Sequence, residues 1–113
     1  MAGILSIAQS GLQVESLRLA VSANDVANAQ TDGFQPAQVI ATARPGGGVD
    51  GAVAPASDPV AAARADRAVL APSRTDLARE VVTQLQAANA YRANLESART
   101  SSDVFATLLS LKA

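Results

Sequence analysis

Both ends of this chain carry an apolar repeat with helical spacing, and the middle carries none. From Leu77 the pattern steps by four and three through Val81, Gln84, Ala88, Tyr91, Leu95, Ala98, Ser102 and Phe105 to Leu109. Near the start, Leu5, Ala8, Leu12, Glu15, Leu19, Ser22, Val26 and Ala29 step the same way. A seven-residue repeat of this kind lets one helix lie along another over its whole length. The spacing therefore predicts a mainly α chain. Its long N- and C-terminal helices pair as an antiparallel coiled-coil hairpin, with a short irregular or β-containing arm between them.

The first helix has a second line. Ile7, Val14 and Val21 lie well round the cylinder from Leu5, Leu12, Leu19 and Val26. One neighbouring helix covers one line, so two lines suggest two neighbours. An ordinary bundle would bury both, but the chain offers only one other long helix. The expectation is that a partner chain covers the second line and the outer face of the second helix.

Composition points the same way. Of 113 residues, 26 are Ala and only three are aromatic. Ala buries little area, and two helices side by side make a ribbon rather than a globule, so the chain alone is marginal. The formal charge of −1 is scattered, which argues against a basic surface for nucleic acid or anionic lipid. No apolar run approaches the roughly 20 residues that span a bilayer. The opening MAGILSIAQSGL has no early Lys or Arg and does not read as a cleaved secretory signal.

Three segments follow from the punctuation: 1–33 as the N-terminal helix, 34–75 as the arm and 76–113 as the C-terminal helix. The first helix reads over 3–30, with Gly11 costing about 1 kcal/mol against Ala. Asn28, Asp32 and Gly33 end it, and Pro36 blocks its continuation. Phe34 is expected to pack back on the helix. Gln38 to Ala43 is the best strand candidate, and Arg44 to Gly51 is a loop or hairpin turn. From Ala52 to Ser73 the chain reads as an irregular arm, with one short helix starting at Asp58-Pro59. Ser73 and Asp76 have capping-box spacing ahead of the second helix. Arg92 with Glu96, and Arg99 with Asp103, are opposite charges four apart on a solvated face.

Catalytic chemistry has little to work with. There is no His and no Cys, so the commonest base, the commonest metal ligand and the thiol nucleophile are missing. Ser and Thr lack an activating base, and the carboxylates are spread singly. The glycines of RPGGGVDG have neither the following helix nor the Lys of a phosphate loop. No cofactor, metal or small-molecule substrate is expected, and the chain reads as a non-enzyme.

Ser10-Gly11-Leu12, followed by SANDVANAQTDGF over 22–34, resembles the N-terminal signature of bacterial flagellar rod and hook proteins. Asn24, Ala27, Asn28, Ala29, Thr31, Gly33 and Phe34 match it, while Asp25 stands where the family usually has a second Asn. The stretch from Asp76 to Ala113 is similar to the family's C-terminal helix. It matches at Asp76-Leu77, at Glu80-Val81-Val82, at Tyr91 with Ala93-Asn94, at Thr100 and at Leu108 to Lys112. With so short a middle, the chain is most similar to a short C-type proximal rod protein, although that type's linker is usually longer.

The resemblance implies a structural subunit of the basal-body rod, polymerising through its terminal helices into the drive shaft that transmits motor torque. It implies export without a cleaved signal peptide through the flagellar type III apparatus, to the periplasmic rod. The implied partners are copies of itself and related rod or hook proteins, with no nucleic acid and no membrane insertion. The expected assembly interface comprises Leu5, Leu12, Leu19, Val26, Asn24, Asn28, Gly33 and Phe34 from the first segment. Leu77, Val81, Leu85, Tyr91, Leu95, Phe105 and Leu109 complete it from the last. Buried Asn24 and Asn28 would fix register, because an unpaired amide is costly in the wrong alignment. As helix-end residues facing water, they would do no such thing. The competing reading is a small helical-hairpin chaperone or adaptor of a secretion system.

Overall fold

The structure is a computed structural model that describes residues 2–56 and 73–112. Two helices dominate, α1 over Ala2–Ala27 and α2 over Leu77–Lys112. Between them an antiparallel hairpin joins β1 (Ala37–Ala43) to β2 (Val49–Pro55). The short helix expected from Asp58-Pro59 lies outside the described residues.

Helix α1 runs unbroken because no Pro interrupts it and Gly11 is its only Gly beyond the first turn. It closes at Ala27, where Asn28 takes over the end. The Asn28 N–H and Nδ2 both donate to the Asn24 carbonyl, at 3.1 and 2.9 Å. Three tight turns follow, and Gly33 at φ 73° completes them in the left-handed region that Gly tolerates. Pro36 then delivers the chain to β1.

The Gln38–Ala43 strand forms as expected, one residue longer at its start. The second strand, read as irregular beyond Gly51, is regular because it has a partner to ladder against. Val39 faces Val53 and Ala41 faces Gly51. Gly47 and Gly48, both at φ 92°, turn the chain, and the Arg44 guanidinium pairs with Asp50 across the turn, its Nε donating at 2.7 Å.

Helix α2 starts from Asp76 rather than from a Ser73 capping box. Asp76 Oδ1 accepts the N–H groups of Ala78 and Arg79 at 3.1 and 3.2 Å. Ser73 instead bonds Thr75, donating to its Oγ1 and accepting its N–H. Asp76 reaches these donors because it immediately precedes the first helical residue, whereas Ser73 lies a turn too early.

The helices pack antiparallel, as three placements fix. Ser22 Oγ donates toward the Glu80 carbonyl and accepts from Gln84 Nε2 at 3.1 Å. Gly11 sits against Asn94, and Ile4 shares a groove with Ser97, Ser101 and Val104. The hairpin lies along α1, its Gly47 over Ile7 and its Gly51 over Val14 and Leu17. The whole measures 71 × 26 × 15 Å. It is a slab too thin for a conventional core, and Ala8, Val14 and Ala87 are the buried apolar residues among those described.

Candidate functional site

The seam between the helices is built from small and polar side chains. On α1 the line facing α2 runs through Ile4, Ala8, Gly11, Glu15, Arg18, Ser22 and Asp25. On α2 it runs through Glu80, Ala87, Asn94 and Ser101. Small residues let the backbones approach, and a Cβ on Gly11 would meet Asn94 Nδ2 at 2.6 Å. No leucine among the described residues is buried.

The large apolar residues follow the seam line by one position. Leu5, Leu12, Leu19 and Val26 come after Ile4, Gly11, Arg18 and Asp25, and Val81, Leu95 and Leu109 come after Glu80, Asn94 and Leu108, with the smaller Ala88 and Ser102 between them on the same line. One residue turns roughly 100° about a helix axis. In an antiparallel pair the same turn carries both lines to the same side. The result is one apolar strip shared by the two helices. Leu5 and Val81 are 49% and 54% exposed, Leu77 and Leu85 lie equally open, and Val26 and Tyr91 are just exposed. Leu12, Leu19 and Leu95 are half-buried along its inner edge.

The strip's neighbours differ from those the spacing suggested. Ile7, Val14 and Val21 follow the seam line by three positions, which turns them about 60° the other way. There the chain's own hairpin lies against them, although Ile7 stays 44% exposed. Val14 is buried, and Val21 lines a cleft with Pro36, Ala37 and Val39. The second neighbour of α1 is therefore intramolecular, and the Leu5–Val26 line, expected in the seam, is the one left open. The reason is steric: Gly11 and Ala8 admit a closer helix approach than Leu5 and Leu12 would.

Each half-open Leu, Val or aromatic side chain forgoes on the order of 1 kcal/mol of burial. Leu5, Val26, Leu77, Val81, Leu85, Tyr91, Phe105 and Leu109 together forgo an amount comparable with the roughly 5–15 kcal/mol that stabilises a typical domain. A strip of this size marks a surface for association.

Polar groups lock the hairpin to the helix pair. Asp25, 1% exposed, accepts the Ala37 N–H with both carboxylate oxygens, at 3.1 and 3.2 Å. Burial pushes its pKa above the ordinary value; the Ala37 hydrogen bond holds it down, and nearby Glu80 adds to the rise. Ser10 does the same work at the other end, donating to the Ile7 carbonyl and accepting the Val49 N–H at 3.0 Å. Glu15 is buried with Arg18 on Oε1 at 3.3 Å, and its Oε2 has no partner among the described residues. None of Ser10, Asp25 and Glu80 was singled out as an interface residue, since polar residues on a helix read by default as solvated. The departure of Asp25 from the flagellar pattern was the one available signal.

Asn24 is exposed, and Asn28 caps α1 while its Oδ1 accepts from Thr31 at 3.2 Å. Within the single chain these are helix-end residues. Phe34 is half-buried, with its carbonyl accepting the Arg74 N–H. On α2 the charges pair differently from the expected four-residue steps: Arg99 meets Glu96 at 3.9 Å, three positions back. Both side chains are largely in water, where such a pair contributes little and its geometry is set loosely.

A cleft of about 340 Å³ opens between α1, the start of β1 and the first turns of α2, lined by Arg18, Arg74, Arg79 and Glu80 among others. No group of three or more metal-ligating side chains occurs among the described residues, and no helix there is long and apolar enough to cross a membrane.

Residues 5–35 match the model of a family described as flagella basal body rod protein. The match spans α1 and the turns after it, ending before β1. It includes Leu5, Leu12, Leu19 and Val26 of the strip, and the Asn28–Phe34 helix end. No curated protein matches the chain.

Proposed function

We propose that this chain, whose residues 5–35 match the flagella basal body rod protein family model, polymerises through its terminal helices into the rod's drive shaft. The observation that carries the reading is the apolar strip, which runs along both helices on the side away from the hairpin. A chain that seats Ala, Gly and Ser in its own seam and leaves its leucines open is arranged for neighbours.

The assembly interface on this reading is Leu5, Leu12, Leu19 and Val26 with Leu77, Val81, Leu85 and Tyr91.

 Leu95 itself belongs to it from the inner edge, and Phe105 and Leu109 extend it along α2. Gly33 and Phe34 shape the end of α1, and on this reading Asn24 and Asn28 would set register against a neighbouring copy. The partners are copies of this chain and related rod or hook proteins. Helices interlocked side by side resist shear along a shaft, which is the mechanical demand of transmitting torque.

Export through the flagellar type III apparatus to the periplasmic rod fits the same physics. A chain with so small a buried core is easily unfolded for passage, and it regains burial only where neighbours wait. The test is biochemical. Hook–basal bodies purified from the bacterium that encodes this chain should contain it, and cells lacking it should assemble no complete rod. Its absence from purified basal bodies, with recovery on export substrates in the cytoplasm, would overturn the reading in favour of an adaptor.

A further inference from the structure

The hairpin leaves the outer edge of β1 without a strand beside it. The Pro36 carbonyl accepts the Ala56 N–H at 2.9 Å, and the Gly48 carbonyl accepts the Arg44 N–H at 3.0 Å. These two bonds bracket β1 and continue the register of its ladder with β2. Backbone groups in an antiparallel strand point alternately toward the partner and away from it. Gln38, Ile40 and Thr42 therefore face β2, while Ala37, Val39 and Ala41 turn their N–H and C=O groups outward. Asp25 obeys this alternation by taking the Ala37 N–H. Beyond that bond, nothing among the described residues pairs with the Ala37 carbonyl or with either backbone group of Val39.

Ala37 and Val39 also line the cleft of about 340 Å³, whose far wall includes Thr83 and Gln86 of α2. An open edge is a template for another extended chain. The cleft adds a sign of charge. Arg18 enters it from α1, Arg74 from the approach to α2 and Arg79 from the first turn of α2. Arg18 shares its charge with Glu15, whereas Arg74 and Arg79 have no carboxylate partner among the described residues. Two acids line the cleft as well. Asp76 is engaged in capping α2, and Glu80 is only 8% exposed. The guanidiniums therefore dominate the accessible charge.

We propose that this cleft takes an extended acidic segment of a partner protein, added as a third strand on the outer edge of β1. The Val39 N–H donates to a carbonyl of the segment, and the Ala37 and Val39 carbonyls accept from its N–H groups. Its carboxylates meet Arg74 and Arg79. Main-chain bonds of this kind give affinity, and the guanidiniums select for negative charge. None of the open strip, from Leu5 to Val26 and from Leu77 to Leu85, lines the cleft. Cleft and strip can be filled independently, so rod assembly is not a premise of this contact.

The test is fluorescence polarisation of a labelled, capped hexapeptide that alternates Glu with Val, titrated with the full-length chain. Two companion peptides separate charge from backbone pairing: one carries Lys in place of Glu, and the other keeps Glu but is N-methylated at every residue. The parent peptide binds and slows hydrogen exchange at the Val39 amide. The Lys peptide and the N-methylated peptide each bind at least about tenfold more weakly. The doubly substituted chain Arg74→Gln with Arg79→Gln loses a similar factor for the parent peptide, and circular dichroism checks that it stays folded. No binding of the parent peptide at millimolar concentration, or equal binding of the Lys peptide, would overturn the proposal. Equal binding of the N-methylated peptide would overturn strand addition and leave a site for anions alone.

Discussion

Asp25 gives the sharpest test of how the hairpin is held. Its carboxylate is buried, accepts the Ala37 N–H with both oxygens and lies near Glu80. Asp25→Ala removes the acceptor and leaves the Ala37 N–H unpaired, at a cost of about 1–3 kcal/mol. Asp25→Asn keeps an acceptor oxygen and removes the buried charge. Because burial raises the folded-state pKa, the neutral form suits the site, and the Asn variant should be as stable as the wild type at neutral pH or slightly more so.

The pH dependence follows with a definite sign. With the folded pKa raised above the ordinary 3.8, the folded state binds a proton that the unfolded state does not. The stabilisation from Asp25 is therefore fully present below 3.8 and is lost as pH rises through the folded value. Asp50 works in the other direction. The Arg44 hydrogen bond lowers its pKa, so its contribution is present above 3.8 and lost as pH falls through the lowered value. The two windows lie on opposite sides of 3.8. Urea unfolding followed by circular dichroism, at a series of pH values above 4, should give a stability that rises as pH falls for the wild type and a flatter profile for Asp25→Asn. An Asn variant as unstable as the Ala variant, or a wild-type stability that climbs with pH in that range, would refute the reasoning.

Other perturbations test other parts of the structure. Gly48→Ala should cost about 1–2 kcal/mol for a side chain at φ 92°. Its Cβ would also fall 2.7 Å from Ser10 Oγ, so faster hydrogen exchange at the Val49 amide should accompany the loss. Asp76→Ala removes the cap of α2 and should cost about 1 kcal/mol, read as a lower urea midpoint, whereas Ser73→Ala should cost less. Leu95→Asp should abolish incorporation into basal bodies, since it puts a charge at the inner edge of the strip. Ile40→Asp, on the exposed face of the hairpin, should be tolerated, and equal damage from both would argue against the helices as the assembly surface.

The helical repeat was legible because it is local. Spacing by three and four residues predicts α1 and α2, and the absence of Gly and Pro after Pro72 predicts that α2 runs on. The first strand was visible in QVIATA, and the turn in RPGGG. The second strand was not, because VDGAVAP has weak strand propensity and owes its conformation to the register with β1. Asp25 and Ser10 were missed for a similar reason: their partners, Ala37 and Val49, are 12 and 39 residues away along the chain.

By itself the chain's order of residues determined that it would form two long helices, with two apolar lines on the first. Which line meets which neighbour was decided only in three dimensions. Periodicity records the faces of a helix that avoid water, but it does not rank the surfaces competing to cover them. Gly11, Ala8 and Ala87 won the place beside the other helix because backbones can come closest there, and the hairpin took Val14. What remained, from Leu5 to Val26 and from Leu77 along α2, is left open by every element among the described residues.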